Sequence, residues 1–151
     1  MNPELLEQAC LAAGLEPVKP GHPGPQDGWI VEWGSGDWCG LHVDNPALAA
    51  YVAVRLVERV WELYGLDYSV ETYSAGTYSA ETMSRCARRR PMIKESFCLA
   101  HFTNEPTSAQ HGLTVSQSGK RDQWIEMTIR AALATITRRQ KRKVDGVKKL
   151  T

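Results

Sequence analysis

The stretch that decides the fold is Trp29-Ile30-Val31-Glu32-Trp33, the turn Gly34-Ser35-Gly36-Asp37, the return run Trp38-Cys39-Gly40-Leu41-His42-Val43, and the amphipathic segment 44–64. Strand alternation places Trp29, Val31 and Trp33 on one face of the first run. The glycines between the two runs are typical of a tight turn, so the runs predict a β-hairpin. Residues 97–102, 113–117 and 119–140 repeat this arrangement of two strands and a helix. The repetition predicts one sheet covered by helices.

Three helices are predicted. The first two begin in the same way, with Asn2 before Pro3 and Asn45 before Pro46, an N-cap followed by proline at the first helical position. Glycines at positions 14 and 65 are placed to end them. The predicted core stripe of the second helix is Leu48, Val52, Leu56, Val60 and Leu63. That of the last helix is Ile125, Ile129, Ala132, Leu133 and Ile136.

The remaining segments complete the predicted order. Residues 16–28 hold four prolines and three glycines and predict an irregular loop. Residues 67–74 predict a strand, and residues 75–95 a variable insertion. The fold class is therefore α+β, a single domain over residues 1–137 in the order αββαβ, insertion, ββα. About five mainly antiparallel strands would pack with three helices. Residues 138–151 are expected to form a frayed or disordered tail.

Charge is distributed unevenly along the chain. Residues 1–137 carry 11 Lys/Arg and 16 Asp/Glu, a balance of −5, whereas residues 138–151 carry seven Lys/Arg and one acid, a balance of +6. The formal net charge of +1 thus combines an acidic body with a basic tail. Such asymmetry favours an acidic partner or nucleic acid.

Composition excludes several classes of protein. The 42% apolar and 23% charged content is that of a soluble globular domain. The sequence contains no run of about 18 apolar residues, so no transmembrane helix is predicted. The polar start of the chain does not fit a secretory signal. The four cysteines are scattered, without a Cys-x-x-Cys pair, which indicates buried thiols in a reducing cytosol.

The chain resembles the small bacteriophage proteins described as phage alpha-beta-alpha (ABA) sandwich proteins. The resemblance covers most of residues 3–137 and rests on Pro3-Glu4-Leu5-Leu6, the tryptophan-rich hairpin from Trp29 to Trp38, Asp44-Asn45-Pro46-Ala47-Leu48-Ala49-Ala50 opening a helix that ends in Gly65, and Ala131-Ala132-Leu133-Ala134. The insertion and the basic tail depart from the usual compact pattern. The resemblance implies a phage or prophage origin and supplies no catalytic residues.

Two short motifs contain chemically capable residues. Cys39-Gly40-Leu41-His42 and Cys98-Leu99-Ala100-His101 both have the form Cys-x-x-His, and zinc accepts two thiolates with two imidazoles. On a strand, however, residues i and i+3 point to opposite faces, so no metal site is expected. His101-Phe102-Thr103 matches the His-x-Thr element of two-histidine phosphoesterases, but the second copy is missing, because His42-Val43-Asp44 and His111-Gly112-Leu113 do not fit. The sequence predicts neither catalysis nor a cofactor.

Two basic clusters and the tryptophans are the candidate binding residues. The candidate residues for contact with a phosphate or an acidic partner are Arg85, Arg88, Arg89, Arg90 and Lys94 in one cluster, and Arg138, Arg139, Lys141, Arg142 and Lys143 in the other. The candidate aromatic contacts are Trp29, Trp33, Trp38 and Trp61.

The sequence therefore predicts a phage or prophage accessory protein that acts by binding in the host cytoplasm. The leading hypothesis is a counter-defence inhibitor that occludes a host defence protein, as an anti-CRISPR does. Two alternatives stay open: a sponge that sequesters a nucleotide immune signal, and an auxiliary nucleic-acid-binding protein. Self-association stays open too, and no membrane partner is expected.

Overall fold

The computed structural model describes residues 1–21, 23–32, 34, 36–76, 95–103 and 115–150. Its helices and strands are α1 (Pro3–Ala12), β1 (Gly28–Glu32), β2 (Trp38–His42), α2 (Pro46–Tyr64), β3 (Asp67–Tyr73), β4 (Phe97–Thr103), β5 (Val115–Lys120) and α3 (Trp124–Leu150), with a short 3-10 helix at Arg121–Gln123. The α+β class and the predicted order are confirmed. Most of the predicted insertion, residues 77–94, lies outside the described residues.

The helix boundaries follow from the capping residues that the sequence supplies. Asn2 Oδ1 accepts a hydrogen bond from the backbone N–H of Glu4 at 2.9 Å, and Asn45 Oδ1 accepts one from Ala47 at 3.0 Å. Each cap satisfies a helical N–H that has no partner inside its helix. Gly65 adopts φ +61°, and its N–H donates to the Trp61 carbonyl at 2.8 Å, which ends α2.

Within the described residues the five strands form two antiparallel sheets, whereas the sequence analysis placed them in one. A small sheet pairs β1 with β2, and a larger one has the order β3-β4-β5. The free edge of β1 is occupied by the start of the proline-rich loop, because Ile30 N–H donates to the Glu16 carbonyl and Val18 N–H donates to the Gly28 carbonyl. These bonds use the groups that another strand would need, so the small sheet stops there.

The core lies between the larger sheet and the helices. α3 crosses β4 and β5, and α2 packs along α3. The side chains of Cys98, Ala100 and Phe102, which alternate along β4, are fully buried. On α2 the predicted stripe of Leu48, Val52, Leu56 and Val60 is fully buried. Leu63 was predicted to belong to this stripe, but 54% of it is exposed, in a groove lined by residues of all three helices.

The boundary between β5 and α3 differs from the prediction. Ser118, Gly119 and Lys120 continue β5, pairing with Leu99, Cys98 and Phe97, and a helix was expected from Gly119 onward. Gly119 suits this position because a Cβ there would lie 2.8 Å from the Met127 sulfur of α3. The absence of a side chain lets the strand approach the helix closely.

The predicted end of the last helix also differs. The last helix was expected to end at about residue 140, but α3 continues through the basic residues to Leu150. Arg, Lys and Gln are good helix formers, and adding residues to an existing helix needs no new nucleus. The basic segment is therefore a helical extension of a core helix, where a frayed or disordered tail was expected.

A hydrogen bond between the side chains of Tyr68 and Thr128 connects the larger sheet to α3. The Tyr68 hydroxyl oxygen lies 2.6 Å from Thr128 Oγ1, and the Thr128 hydroxyl donates to the Trp124 carbonyl at 2.7 Å. Because a threonine hydroxyl has one hydrogen, Tyr68 is the donor in the first bond. Burial raises the pKa of the Tyr68 hydroxyl, so this donor keeps its proton at neutral pH.

We expect Cys10 to resist alkylation in the folded protein. Its side chain is fully buried, and burial together with the Glu7 carboxylate raises the pKa of its thiol from 9.0 to about 12. Since only the thiolate reacts, the reactive fraction at pH 8 falls about a thousandfold. Mass spectrometry of the Cys10 peptide after an iodoacetamide pulse should show labelling in urea and almost none without it. Equal labelling in both conditions would contradict this burial.

Candidate binding groove and basic helical extension

A groove of about 410 Å³ opens where α1, α2 and α3 meet. We call it the three-helix groove. Its apolar lining comes from all three helices: Leu11, Leu63, Tyr64, Leu133 and Ile136. Leu11 and Leu63 are 60% and 54% exposed, although each is a large apolar side chain. Exposed apolar side chains that converge on one groove are typical of an interaction site.

Residues 138–150 of α3 continue beyond this groove as a helix. We call this segment the basic extension. Its cations are Arg138, Arg139, Lys141, Arg142, Lys143, Lys148 and Lys149. From residue 140 to residue 149 every side chain is exposed. The structure thus keeps the second predicted basic cluster together on one helix and places it beside the groove.

The basic extension also carries an apolar line. Gln140, which lines the groove, lies one turn after Ile136, and Val144 and Val147 follow at further helical spacings. The two valines are 53% and 58% exposed. Helical geometry places Lys143 on one side of this line and Lys141 on the other. The core stripe of α3 is therefore interrupted at Gln140 and resumes at Val144 and Val147 as an apolar line with cations on both sides.

Arg139 connects the basic extension to the body of the protein. Its guanidinium carbon lies 5.5 Å from the centre of the Tyr64 ring, within the range of a cation–π contact. Tyr64 is the last residue of α2 and also lines the three-helix groove. The contact therefore positions the start of the extension against the groove wall.

The four candidate tryptophans fall into different environments. Trp29 was predicted as an aromatic contact, but it is 8% exposed and belongs to the core. Trp38 and Trp61 are 49% and 61% exposed, so both rings are accessible to a partner. Trp33 lies outside the described residues. Trp61 lies on the outer face of α2 with Val54, away from the groove that Leu63 lines.

The first predicted basic cluster is not part of the described structure. Arg85, Arg88, Arg89, Arg90 and Lys94 all lie outside the described residues, in the connection between β3 and β4.

The Cys-x-x-His residues diverge in the way that strand geometry requires. Cys98 is buried on the α3 side of β4, where its thiol donates to the Lys120 carbonyl at 3.2 Å. His101 lies on the opposite face, where its Nε2 hydrogen-bonds to the Ser69 hydroxyl. Cys39 and His42 belong to β2 in the other sheet. Within the described ranges, no group of three or more metal-ligating side chains comes together.

The apolar part of the candidate site was missed by sequence analysis. Leu11 was not singled out within the first helix by the sequence analysis. The apolar stripe of the last helix was predicted to end at Ile136. A usable signal exists, since residues 140, 144 and 147 follow Ile136 at helical spacing and two of them are valines.

The described residues contain no helix that combines the length and the apolar character needed to cross a membrane. Comparison with protein-family models, with curated proteins and with solved structures finds no match to this chain.

Proposed function

We propose that this protein acts by binding, without catalysis, and that the three-helix groove and the basic extension together hold an acidic amphipathic helix of a partner protein. The observation that carries the proposal is the groove lined by Leu63 and Ile136, together with the exposed Val144 one turn beyond Gln140 on the same side of α3, with cations on both sides beyond the groove. An amphipathic helix presents the complementary pattern, with an apolar stripe between charged flanks.

The apolar contacts would supply most of the affinity. Leu11 and Leu63 leave more than half of their surfaces to solvent in the free protein. Covering such side chains contributes about 25 cal/mol for each Å² of apolar surface removed from water. Leucines of the partner, spaced one helical turn apart, would enter the groove and then follow Val144 along the extension.

The charges would set orientation and association rate. The extension belongs to a segment with a balance of +6, while the rest of the chain has a balance of −5. An acidic partner is therefore attracted to one end of the molecule and repelled from the remainder. Such complementarity raises association rates and suppresses the wrong partners.

The biological role follows from the sequence resemblance to phage sandwich proteins. Within that role, the partner would be a host defence protein in the host cytoplasm, and occupancy of its acidic helix would block its activity, as an anti-CRISPR does. The alternative roles, binding a nucleotide signal or nucleic acid through the same cations, do not use the apolar line.

A designed peptide tests the binding mode directly. The probe is a helical peptide with leucines at positions i, i+4 and i+7 and glutamates elsewhere, and its control carries lysines in place of the glutamates. Isothermal titration calorimetry should detect binding of the acidic peptide and none of the basic one. Leu63→Ser should weaken binding by about tenfold, equivalent to about 1.4 kcal/mol. Val54→Ser, which changes an equally exposed residue of α2 outside the groove, should leave binding unchanged.

Equal affinity for the acidic and basic peptides would reject the charge argument. Equal effects of Leu63→Ser and Val54→Ser would reject the groove. A DNA duplex that binds more tightly than the acidic peptide, with Leu63→Ser having no effect, would favour the nucleic-acid alternative.

A further inference from the structure

The larger sheet places an aromatic pair and a lysine on one line across its three strands. Tyr73 of β3 pairs with Phe97 of β4, and Phe97 pairs with Lys120 of β5. Because directly paired residues point to the same face, all three side chains share one side of the sheet. We propose that this line is a binding site for a nucleobase together with its phosphate, separate from the three-helix groove.

This side of the sheet is the one that α3 does not cover. Cys98 and Ala100 point toward α3 and are fully buried, so Phe97 and Leu99 point the other way. Along β5 the residues on the same side as Phe97 are exposed: Ser116, Ser118 and Lys120. A flat ligand can therefore approach this face of the described sheet from solvent.

The Tyr73 and Phe97 rings are stacked on each other, so a base would stack on the outer face of Phe97, which lines a cleft with Lys120. The centroids of the two rings lie 4.6 Å apart, and their planes differ by 13°. The Tyr73 hydroxyl donates to the Glu71 carboxylate, which fixes the orientation of that ring. Single-stranded nucleic acid is bound in this way by other proteins, because every base has a face that stacks on an aromatic ring.

Lys120 and Arg121 supply the positive charge for the phosphate. Lys120 is exposed, and its ammonium group forms no ion pair with the described residues. The Arg121 guanidinium donates to the Ser74 hydroxyl at 3.1 Å, which holds it at the same end of the sheet. Glu71 lies on the neighbouring line across the sheet, which it forms with Leu99 and Ser118. Its carboxylate repels a phosphate from that line and so directs the phosphate toward Lys120.

A cleft beside the rings has the size of a small-molecule site. It has a volume of about 360 Å³ and is lined by Phe97, Ser118 and Lys120, among others. Ligand pockets commonly range from about 300 to 1,000 Å³. The Ser118 hydroxyl is available to a ribose or a base edge. The cleft thus combines an aromatic wall, a cation and a hydroxyl group, and the Glu95 carboxylate also lines it, so a phosphate would have to lie on the Lys120 side.

The chemistry fits a free nucleotide or an unpaired base of a single strand. A base pair inside a duplex is excluded, because both faces of its bases are already stacked. The two sources are separated by measuring AMP and GMP in one arm and a fluorescein-labelled single-stranded RNA octamer in the other. An RNA duplex of the same length is the control for phosphate contact alone.

Fluorescence anisotropy and calorimetry on the full chain give the test. We expect the single strand to bind at least tenfold more tightly than the duplex. Phe97→Leu, which keeps an apolar side chain, should weaken binding by about fivefold or more, in line with the loss of a stacking contact. Lys120→Gln should weaken binding and reduce the slope of log K against log salt by about 0.7, the value for one phosphate contact on a single strand. Lys19→Gln, at an exposed lysine of the proline-rich loop, should change neither.

Binding of AMP or GMP with the same dependence on Phe97 and Lys120 would identify the source as a free nucleotide, and binding of the octamer alone would identify it as a single strand. The site is rejected if neither probe binds. It is also rejected if Lys19→Gln has the effect expected of Lys120→Gln, or if a folded Phe97→Leu protein binds as well as the parent. Because none of these outcomes involves Leu63, they leave the proposed helix-binding function to its own test.

Discussion

Leu56→Ala is expected to lower the free energy of unfolding by about 2–5 kcal/mol, the usual range for a fully buried leucine. Leu56 is completely buried on the face of α2 that packs in the core. The cost has two sources, because the truncated side chain loses buried apolar surface and leaves a cavity that the surrounding helices fill only in part. Urea denaturation followed by circular dichroism measures the change.

Leu63→Ala provides the matched control for this prediction. It makes the same chemical change on the same helix, but 54% of Leu63 is exposed at the three-helix groove. We expect a loss of less than about 1 kcal/mol, as for a surface substitution. Equal losses for the two variants would mean that α2 is rotated relative to the structure described above. A loss below about 0.5 kcal/mol for Leu56→Ala would place the helix outside the core.

Neutralising four cations of the basic extension is expected to slow association with the acidic peptide by about tenfold or more at low salt. The variant changes Arg138, Lys141, Arg142 and Lys143 to glutamine, which preserves helix propensity. All four side chains are exposed, so the melting temperature should move by no more than a few degrees. Arg139 stays unchanged because it contacts Tyr64. Stopped-flow fluorescence gives the association rate.

Salt supplies the control for the charge variant. At 1 M salt the screening length falls to about 3 Å, and the association rates of parent and variant should converge. A tenfold difference in association rate that persists at high salt would mean that the variant has lost direct contacts with the peptide, and not long-range electrostatic attraction. Unchanged rates at low salt would mean that the extension serves only solubility.

Local signals in the sequence were sufficient for most of the fold. Asn2-Pro3 and Asn45-Pro46 predict two helix starts because a cap depends on residues within one turn. Spacing alone identifies Leu56 and Ile129 as core residues. The division into two sheets could not be predicted, because it depends on hydrogen bonds that Glu16 and Val18 make with β1. Those partners are distant in sequence and belong to a loop with no strand pattern.

The candidate site was less accessible to sequence reasoning. The cations of the extension were found, since charge runs are visible without a structure. Leu63 was assigned to the core because it shares the helical spacing of Leu56, but it lies at the open groove between the three helices and is 54% exposed. Trp29 and Trp61 are chemically identical, and only packing separates the buried ring from the accessible one.

The continuity of α3 across the edge of the body has a consequence for binding. At a rise of about 1.5 Å per residue, the 13 residues from 138 to 150 form an arm of about 20 Å. The core has already nucleated this helix, so a partner that captures the arm does not have to order it from a coil. The contact of Arg139 with Tyr64 connects the start of the arm to the end of α2. A partner bound along the arm therefore lies next to the interface between α2 and α3.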